Sequence, residues 1–141
     1  AIAGRLGWLY DEVLRLAEAS PHKEDIVFRG AVPSAERVDL YNSARMFVFP
    51  SFFEGFGFPP IEAQACGCPV IAANRTSLPE VLGESALYVD PWKVADLAEK
   101  MTQLAENSVL RDSLVSRGLL NAERFRWQKS AESTLELFNA R

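Results

Sequence analysis

The sequence has few of the residue types that build metal centres and disulfides. Its 141 residues include one histidine, His22, and two cysteines, Cys66 and Cys68. Cysteines separated by a single residue rarely satisfy disulfide geometry, and such a pair with one distant histidine is too little for a zinc site. We therefore expect two free thiols, as in a cytosolic protein, and no metal ligands.

Long apolar runs and a basic excess are also lacking. No run approaches the roughly 20 apolar residues that a membrane-spanning helix needs. The net charge of -4 gives no reason to expect nucleic-acid binding. The 48% of hydrophobic and 24% of charged residues suit one globular domain with a buried core. Because the sequence begins at Ala1 and not at Met, we expect a piece of a longer chain.

Five short apolar runs alternate with amphipathic segments along the first two thirds of the chain. The runs occupy residues 1–4, 25–30, 46–50, 69–73 and 86–90. Short, continuously apolar runs are typical of buried parallel strands, and alternation with helices predicts parallel βαβ units. We therefore predict a Rossmann-like, doubly wound α/β sheet of about five strands. Three amphipathic helices form a tail over residues 93–141 of this single domain.

The stretch FEGFGFPPIEAQACGCPV, residues 53–70, follows the third predicted strand. Ligands of doubly wound sheets bind beyond the carboxyl ends of the strands, so this is where a ligand would lie. Gly55 and Gly57 permit positive φ and a close approach of the backbone, and Pro59 or Pro60 suits the first turn of a helix. Loop amides beside a helix N-terminus would favour a phosphate group.

Glu54 and Glu62 are unsuited to binding that phosphate, because like charges repel. A carboxylate accepts two hydrogen bonds, and neighbouring sugar hydroxyls offer two donors. One carboxylate on a ribose and one on a second sugar, with amides between them, would fit a nucleotide-sugar. We expect Glu62 in the first turn of this helix. A purely structural explanation therefore stands beside this one, because the helix dipole favours Glu in a first turn and glycines beside prolines mark turns.

The same stretch resembles the Glu-x7-Glu motif of retaining glycosyltransferases of family 4 (glycosyl transferases group 1), which have the GT-B fold. GWLYDEVL, FRGAVP, LYNSARMFVFPS, TSLPEVLGESALYVDP and ERFRWQKSA are similar to further segments of that family, in the same order. The resemblance covers essentially the whole chain. It implies the C-terminal, donor-binding domain of a GT-B enzyme, and it is strongest for mannosyltransferases.

The resemblance also implies roles for individual residues. Glu62 corresponds to the carboxylate that binds the donor ribose, and Glu54 to the catalytic residue that contacts the donor sugar. The loop that approaches the sugar and the distal phosphate corresponds to Gly55, Phe56, Gly57 and Phe58. A weaker correspondence places the nucleobase against Val32, Pro33 and Ser34.

The implied reaction is metal-independent transfer of a hexose, with retention, to a glycan or lipid acceptor. GDP-mannose is the favoured donor and a UDP-hexose is next. The family's N-terminal acceptor domain and its basic Arg and Lys pair for the diphosphate lie upstream of this sequence, so we expect the isolated chain to be inactive. The whole enzyme is expected in the cytoplasm, where it could lie at the periphery of the inner membrane.

Two other functions are compatible with the same scaffold. The first is a non-catalytic module that binds a nucleotide or nucleotide-sugar, although such a module has less need of Glu54. The second is a phosphate receiver or another doubly wound signalling domain. A receiver needs acidic residues at the ends of its early strands, but the first two runs end in glycine.

The aromatic residues outside the motif are expected to serve packing. Trp8, Trp92 and Trp127 lie at predicted helix starts, and large aromatics usually fill cores, so we predict packing anchors rather than platforms for a sugar. In the family that the motif resembles, the last helix crosses to the other domain. Phe125, Trp127 and Phe138 would then be partly exposed in this chain.

Overall fold

The structure, a computed structural model, describes residues 1–7 and 10–140. Trp8 lies outside the described residues, so its predicted role as a packing anchor is not addressed. The chain forms two compact units, Ala1–Arg37 and Val38–Arg141, which are described one at a time.

The first unit contains a short parallel strand pair. Strand β1 (Ile2–Ala3) pairs with β2 (Phe28–Gly30), and helix α1 (Asp11–Glu18) lies between them in sequence. Helix α2 (Ser34–Ser43) begins in this unit and continues into the second. A strand, a helix and a parallel strand in succession make the βαβ unit that the sequence pattern predicts.

The second unit contains a three-stranded parallel sheet in the order β3-β4-β5. Its strands are β3 (Phe47–Phe49), β4 (Val70–Ala73) and β5 (Ala86–Val89). All four residues of the central strand β4 are buried, which is why its sequence is continuously apolar. The predicted fold class is thus confirmed, with five parallel strands where the apolar runs lie. In the part of the chain that the structure describes, the first unit contains a two-stranded sheet and the second a three-stranded sheet.

Helices cover both faces of the three-stranded sheet. On one face, Val70 and Ala72 of β4 join a core cluster with helix α3 (Phe58–Ala65) and helix α4 (Leu78–Leu82). On the other face, Ile71 clusters with Leu104 of helix α5 (Val94–Glu106) and Leu114 of helix α6 (Ser108–Ala122). Val70 and Ala72 thus enter one layer and Ile71 enters the other, as the strand period of two requires.

The final helix, α7 (Trp127–Asn139), contributes no buried residue. Trp127 is 83% exposed and Trp92 is 72% exposed, so the prediction that these two residues are packing anchors was wrong. Helix starts with exposed apolar residues look the same in sequence as helix starts that dock. Phe138 is exposed and Phe125 is half-buried, as expected.

A buried amide network joins α3 to α6. Gln64, which is 1% exposed, donates to the carbonyl and hydroxyl oxygens of Ser85 at 3.0 and 2.7 Å and accepts from Asn121 Nδ2 at 2.8 Å. Gly118 lets the helices approach closely, because a Cβ there would lie 3.1 Å from Gln64 Cγ. A buried amide with satisfied partners fixes the position of α3 more narrowly than apolar contacts alone.

Candidate functional site

The motif stretch lies at the carboxyl edge of the three-stranded sheet. Residues 50–57 connect β3 to α3, and residues 74–77 connect β4 to α4. Because β3, β4 and β5 are parallel, both connections leave the same edge. This is the edge where open α/β sheets bind their ligands, as the sequence predicted.

Gly57 is the residue that turns the chain from the loop into α3. It is the N-cap of the helix and has left-handed backbone angles, with φ at +96° and ψ at +55°. A Cβ at this position would lie only 2.6 Å from Leu78 Cδ2, and Leu78 is fully buried. Both the backbone conformation and the available space therefore require glycine here.

Gly55 does not share these constraints. Its φ is not positive, and a Cβ there would meet nothing within 4 Å. Of the two glycines, both of which permit positive φ, only Gly57 adopts it. Repeated glycines in a loop are indistinguishable in sequence, and only the packing of α4 separates them.

The start of α3 corrects the position of Glu62. The helix begins at Phe58, with prolines in its first turn as predicted, so Glu62 is its fifth residue and lies in the second turn. The first turn contains no acidic residue. Since the helix dipole acts within the first turn, it does not explain the presence of Glu62.

Glu62 is half-buried beside a tyrosine of α2. Tyr41 Oη donates to Glu62 Oε2 at 3.4 Å, and the buried Tyr41 ring packs edge-on against Phe47 of β3 at 5.3 Å. Burial raises the pKa of the Cys66 thiol, and the Glu62 carboxylate raises it further. The tyrosine hydroxyl thus helps to orient a carboxylate near the end of the sheet where the loop lies.

Helix α3 ends in a Schellman motif that explains the cysteine-rich end of the stretch. Gly67 has φ at +70°, its N–H donates to Gln64 O, and the N–H of Cys68 donates to Ala63 O. Cys68 is buried after this turn, and burial raises its pKa to about 11. Both cysteines are free thiols, as predicted.

Glu54 is half-buried, and its backbone is held by the connection after β4. Its N–H donates to Thr76 Oγ1 at 3.1 Å, and its carbonyl oxygen accepts from Ser77 Oγ at 2.9 Å. Among the described residues, none donates a hydrogen bond to its carboxylate. Sequence reasoning missed Thr76 and Ser77. The available signal was a pair of hydroxyl residues in the short connection that follows a fully apolar strand at the predicted ligand edge.

The two phenylalanines of the motif pack on one another. The Phe56 ring lies 4.8 Å from the Phe58 ring and contacts Phe125 edge-on at 5.5 Å. These contacts fix the side chain of Phe56, and of its two neighbours Gly55 is exposed and Gly57 is buried. Earlier in the same loop, Phe52 is exposed, and its ring contacts the exposed ring of Trp92 with the two ring centroids 4.4 Å apart.

The three residues predicted to line a nucleobase belong to the first unit. Val32, Pro33 and Ser34 connect β2 to α2, where Val32 is half-buried and the other two are exposed. Ser34 opens α2, and its hydroxyl accepts from Arg37 Nη2 at 3.0 Å. Their role at a nucleobase stays a prediction.

The described residues contain neither a group of metal ligands nor a membrane-spanning helix. Within residues 1–7 and 10–140, no three His, Cys, Asp or Glu side chains are grouped so that they could hold a metal ion. None of the helices described is both long enough and apolar enough to cross a membrane.

Comparison with known proteins identifies the family. The sequence profile described as glycosyl transferases group 1 matches residues 1–107. The chain belongs to this family. Among its relatives, the O-antigen chain mannosyltransferase B of Escherichia coli is 37% identical over 137 residues, which are 97% of this chain and 36% of the relative.

Two solved structures have a similar fold. A sucrose-phosphate synthase from Thermosynechococcus elongatus superposes with a TM-score of 0.80 and 26% identity, over 92% of this chain and 34% of that protein. Anabaena HepE in complex with UDP and glucose superposes with a TM-score of 0.82 and 18% identity, over 99% of this chain and 40% of that protein. The chain spans 36% of the length of that mannosyltransferase and 16% of the length of the serotype-specific mannosyltransferase WbdA of Escherichia coli. These matches confirm the GT-B-type α/β fold predicted from the motif.

The different constraints on the two glycines give a testable prediction. Gly57→Ala should lower the free energy of unfolding by about 2–4 kcal/mol, because it adds a left-handed alanine and a clash with Leu78. Gly55→Ala, the matched control in the same loop, should change it by less than about 0.5 kcal/mol. Urea unfolding followed by circular dichroism measures both, and equal losses would contradict the assignment.

Proposed function

We propose that the chain is the nucleotide-sugar-binding part of a retaining, metal-independent hexosyltransferase. The observation that carries the proposal is the strand–glycine loop–helix unit of residues 47–65, with Glu54 on the loop and Glu62 on the helix. Membership of the glycosyl transferases group 1 family supports transfer chemistry. The 37% identity to a mannosyltransferase supports GDP-mannose as the donor, ahead of a UDP-hexose.

The two carboxylates, the loop between them and the predicted nucleobase-lining residues each have a role in this proposal. The Glu62 carboxylate, oriented by Tyr41, accepts hydrogen bonds from the two ribose hydroxyls. The Glu54 carboxylate faces the transferred sugar and acts at the reacting centre. The loop of Gly55, Phe56, Gly57 and Phe58 presents backbone to the sugar and distal phosphate, and Val32, Pro33 and Ser34 line the nucleobase.

The position of Glu62 supports this proposal over the structural explanation. A glutamate in the second turn gains little from the helix dipole, and partial burial costs a carboxylate part of its hydration. Binding to a ligand with two hydroxyl donors gives a carboxylate at this position a function that the helix does not. A carboxylate at Glu54 as well favours the enzyme over a module that binds nucleotide alone.

The proposal extends to the remainder of the enzyme. The acceptor is a glycan or lipid bound by an N-terminal domain, and a basic Arg and Lys pair separate from that domain completes the site for the diphosphate. The whole enzyme works in the cytoplasm or at the inner face of the membrane. The chain spans 36% of its mannosyltransferase relative, and an acceptor site outside that portion would leave the isolated chain inactive.

Substitution of each carboxylate by its amide tests the two roles. Glu62→Gln should weaken binding of both GDP and GDP-mannose by roughly 1–3 kcal/mol, because a charged hydrogen-bond acceptor is lost. Glu54→Gln should weaken the binding of GDP-mannose and leave the binding of GDP unchanged. Glu80→Gln, on the exposed surface of α4, is the control of equal charge change. Isothermal titration, run also with UDP and UDP-glucose, measures the affinities.

The outcomes separate the candidate functions. Unchanged affinity in Glu62→Gln would return Glu62 to a structural role. Loss in Glu62→Gln with full retention of GDP-mannose binding in Glu54→Gln would identify a nucleotide-binding module without the proposed chemistry.

Activity of the isolated chain is tested separately. We expect hexose release from GDP-mannose or UDP-glucose, with a saccharide acceptor present, to be no faster than with the Glu54→Ala variant. A radiolabelled donor makes slow turnover measurable. Turnover that exceeds the variant's would show that the chain carries a complete catalytic site.

A further inference from the structure

Three consecutive residues after β4 grip the loop that carries Glu54. Thr76 Oγ1 accepts the Glu54 N–H at 3.1 Å. Ser77 Oγ lies 2.9 Å from the Glu54 carbonyl oxygen and 3.2 Å from that of Phe56, so both carbonyl oxygens are within reach of its one hydrogen. Leu78 packs against the bare Cα of Gly57. The segment thus contacts the second half of the loop, at Glu54, Phe56 and Gly57.

Thr76 adopts a backbone conformation that its residue type disfavours. Its φ is +52°, and it is the only non-glycine residue with positive φ in the described part of the chain. A β-branched residue in the left-handed region is an outlier, and such residues persist where the surrounding contacts hold them, often at functional sites. Thr76 holds the Glu54 N–H while in this conformation.

Ser77 directs its hydroxyl away from its usual task. It is the N-cap of α4, where a serine normally accepts an N–H of its own helix. No such bond forms at this cap, and the hydroxyl instead donates to carbonyl oxygens of the motif loop. The helix start therefore gives up a stabilising cap while the loop gains a fixed position.

We infer that Thr76 and Ser77 are positioning residues that hold the Glu54 carboxylate in place for the sugar of a nucleotide-sugar. The inference rests on the proposed function. Both the N–H and the carbonyl of Glu54 are bonded to this pair, which restricts rotation of the Glu54 backbone. Because none of the described residues hydrogen-bonds the carboxylate, its location depends on that backbone. Reactive groups need such support from a second layer of contacts.

The inference predicts weaker binding of the sugar portion of the donor and unchanged binding of its nucleotide portion. Glu62 lies on α3, and its contact with Tyr41 does not involve Thr76 or Ser77. Loosening the Glu54 loop should therefore lower affinity for GDP-mannose or UDP-glucose relative to the matching nucleoside diphosphate. Loss of one supporting hydrogen bond should reduce that affinity ratio roughly threefold to tenfold.

Four variants separate positioning from stability. Thr76→Val and Ser77→Ala remove a hydroxyl, whereas Thr76→Ser keeps it and should retain the wild-type ratio. Thr76→Gly removes the hydroxyl and also removes the strain of a positive φ at a β-branched residue. This variant should melt at an equal or higher temperature than wild type, and its affinity for nucleotide-sugar relative to nucleoside diphosphate should still fall. Thr102→Val, on the exposed face of α5, is the matched control.

The experiment measures affinities for GDP, GDP-mannose, UDP and UDP-glucose by titration, melting temperatures, and hydrogen exchange of the Glu54 amide. A reduced ratio in Thr76→Val, Ser77→Ala and Thr76→Gly, with faster Glu54 amide exchange in the two Thr76 variants, supports the inference. An unchanged ratio, or equal loss of nucleotide and nucleotide-sugar, overturns it and leaves the proposed function standing. A wild-type chain that binds none of the four ligands overturns both.

Discussion

The contact between Gly57 and Leu78 is the constraint on which the rest of the site depends. Leu78 is fully buried at the start of α4, and it leaves room for only a hydrogen at the Gly57 Cα. The left-handed turn of Gly57 in turn fixes Phe58 as the first residue of α3. The positions of the whole loop and of Glu62 along the helix follow from this one close approach of backbone and side chain.

The C-terminal end of α3 is also held by specific contacts. The Schellman turn at Gly67 returns the chain to β4, while Gln64 binds Ser85 and Asn121 in the core. Helix α3 is thus held at its start by packing, along its length by a buried amide, and at its end by a capping motif. A short helix on the central strand becomes a rigid support, which is what a site that orients two carboxylates requires.

Much of this arrangement was predictable because the decisive residues are local. Continuous apolar runs located all five strands, and the adjacent prolines located the start of α3. The differences arose where tertiary packing decides. Only Leu78 distinguishes Gly57 from Gly55, and one residue of helix extension moved Glu62 to the second turn. Thr76 and Ser77 act across more than 20 residues of sequence, which no local pattern records.

An amide chemical-shift titration of this chain with GDP, UDP, ADP and GDP-mannose, run in parallel, tests the central claim most directly. That claim is that the loop after β3 and the helix it opens form a nucleotide-sugar site. The account predicts that one nucleotide shifts the amides of Gly55, Gly57 and Glu62 more than any on α7, and that the sugar adds a shift at Glu54. No movement of these amides at millimolar ligand, or movement confined to other surfaces, would contradict it.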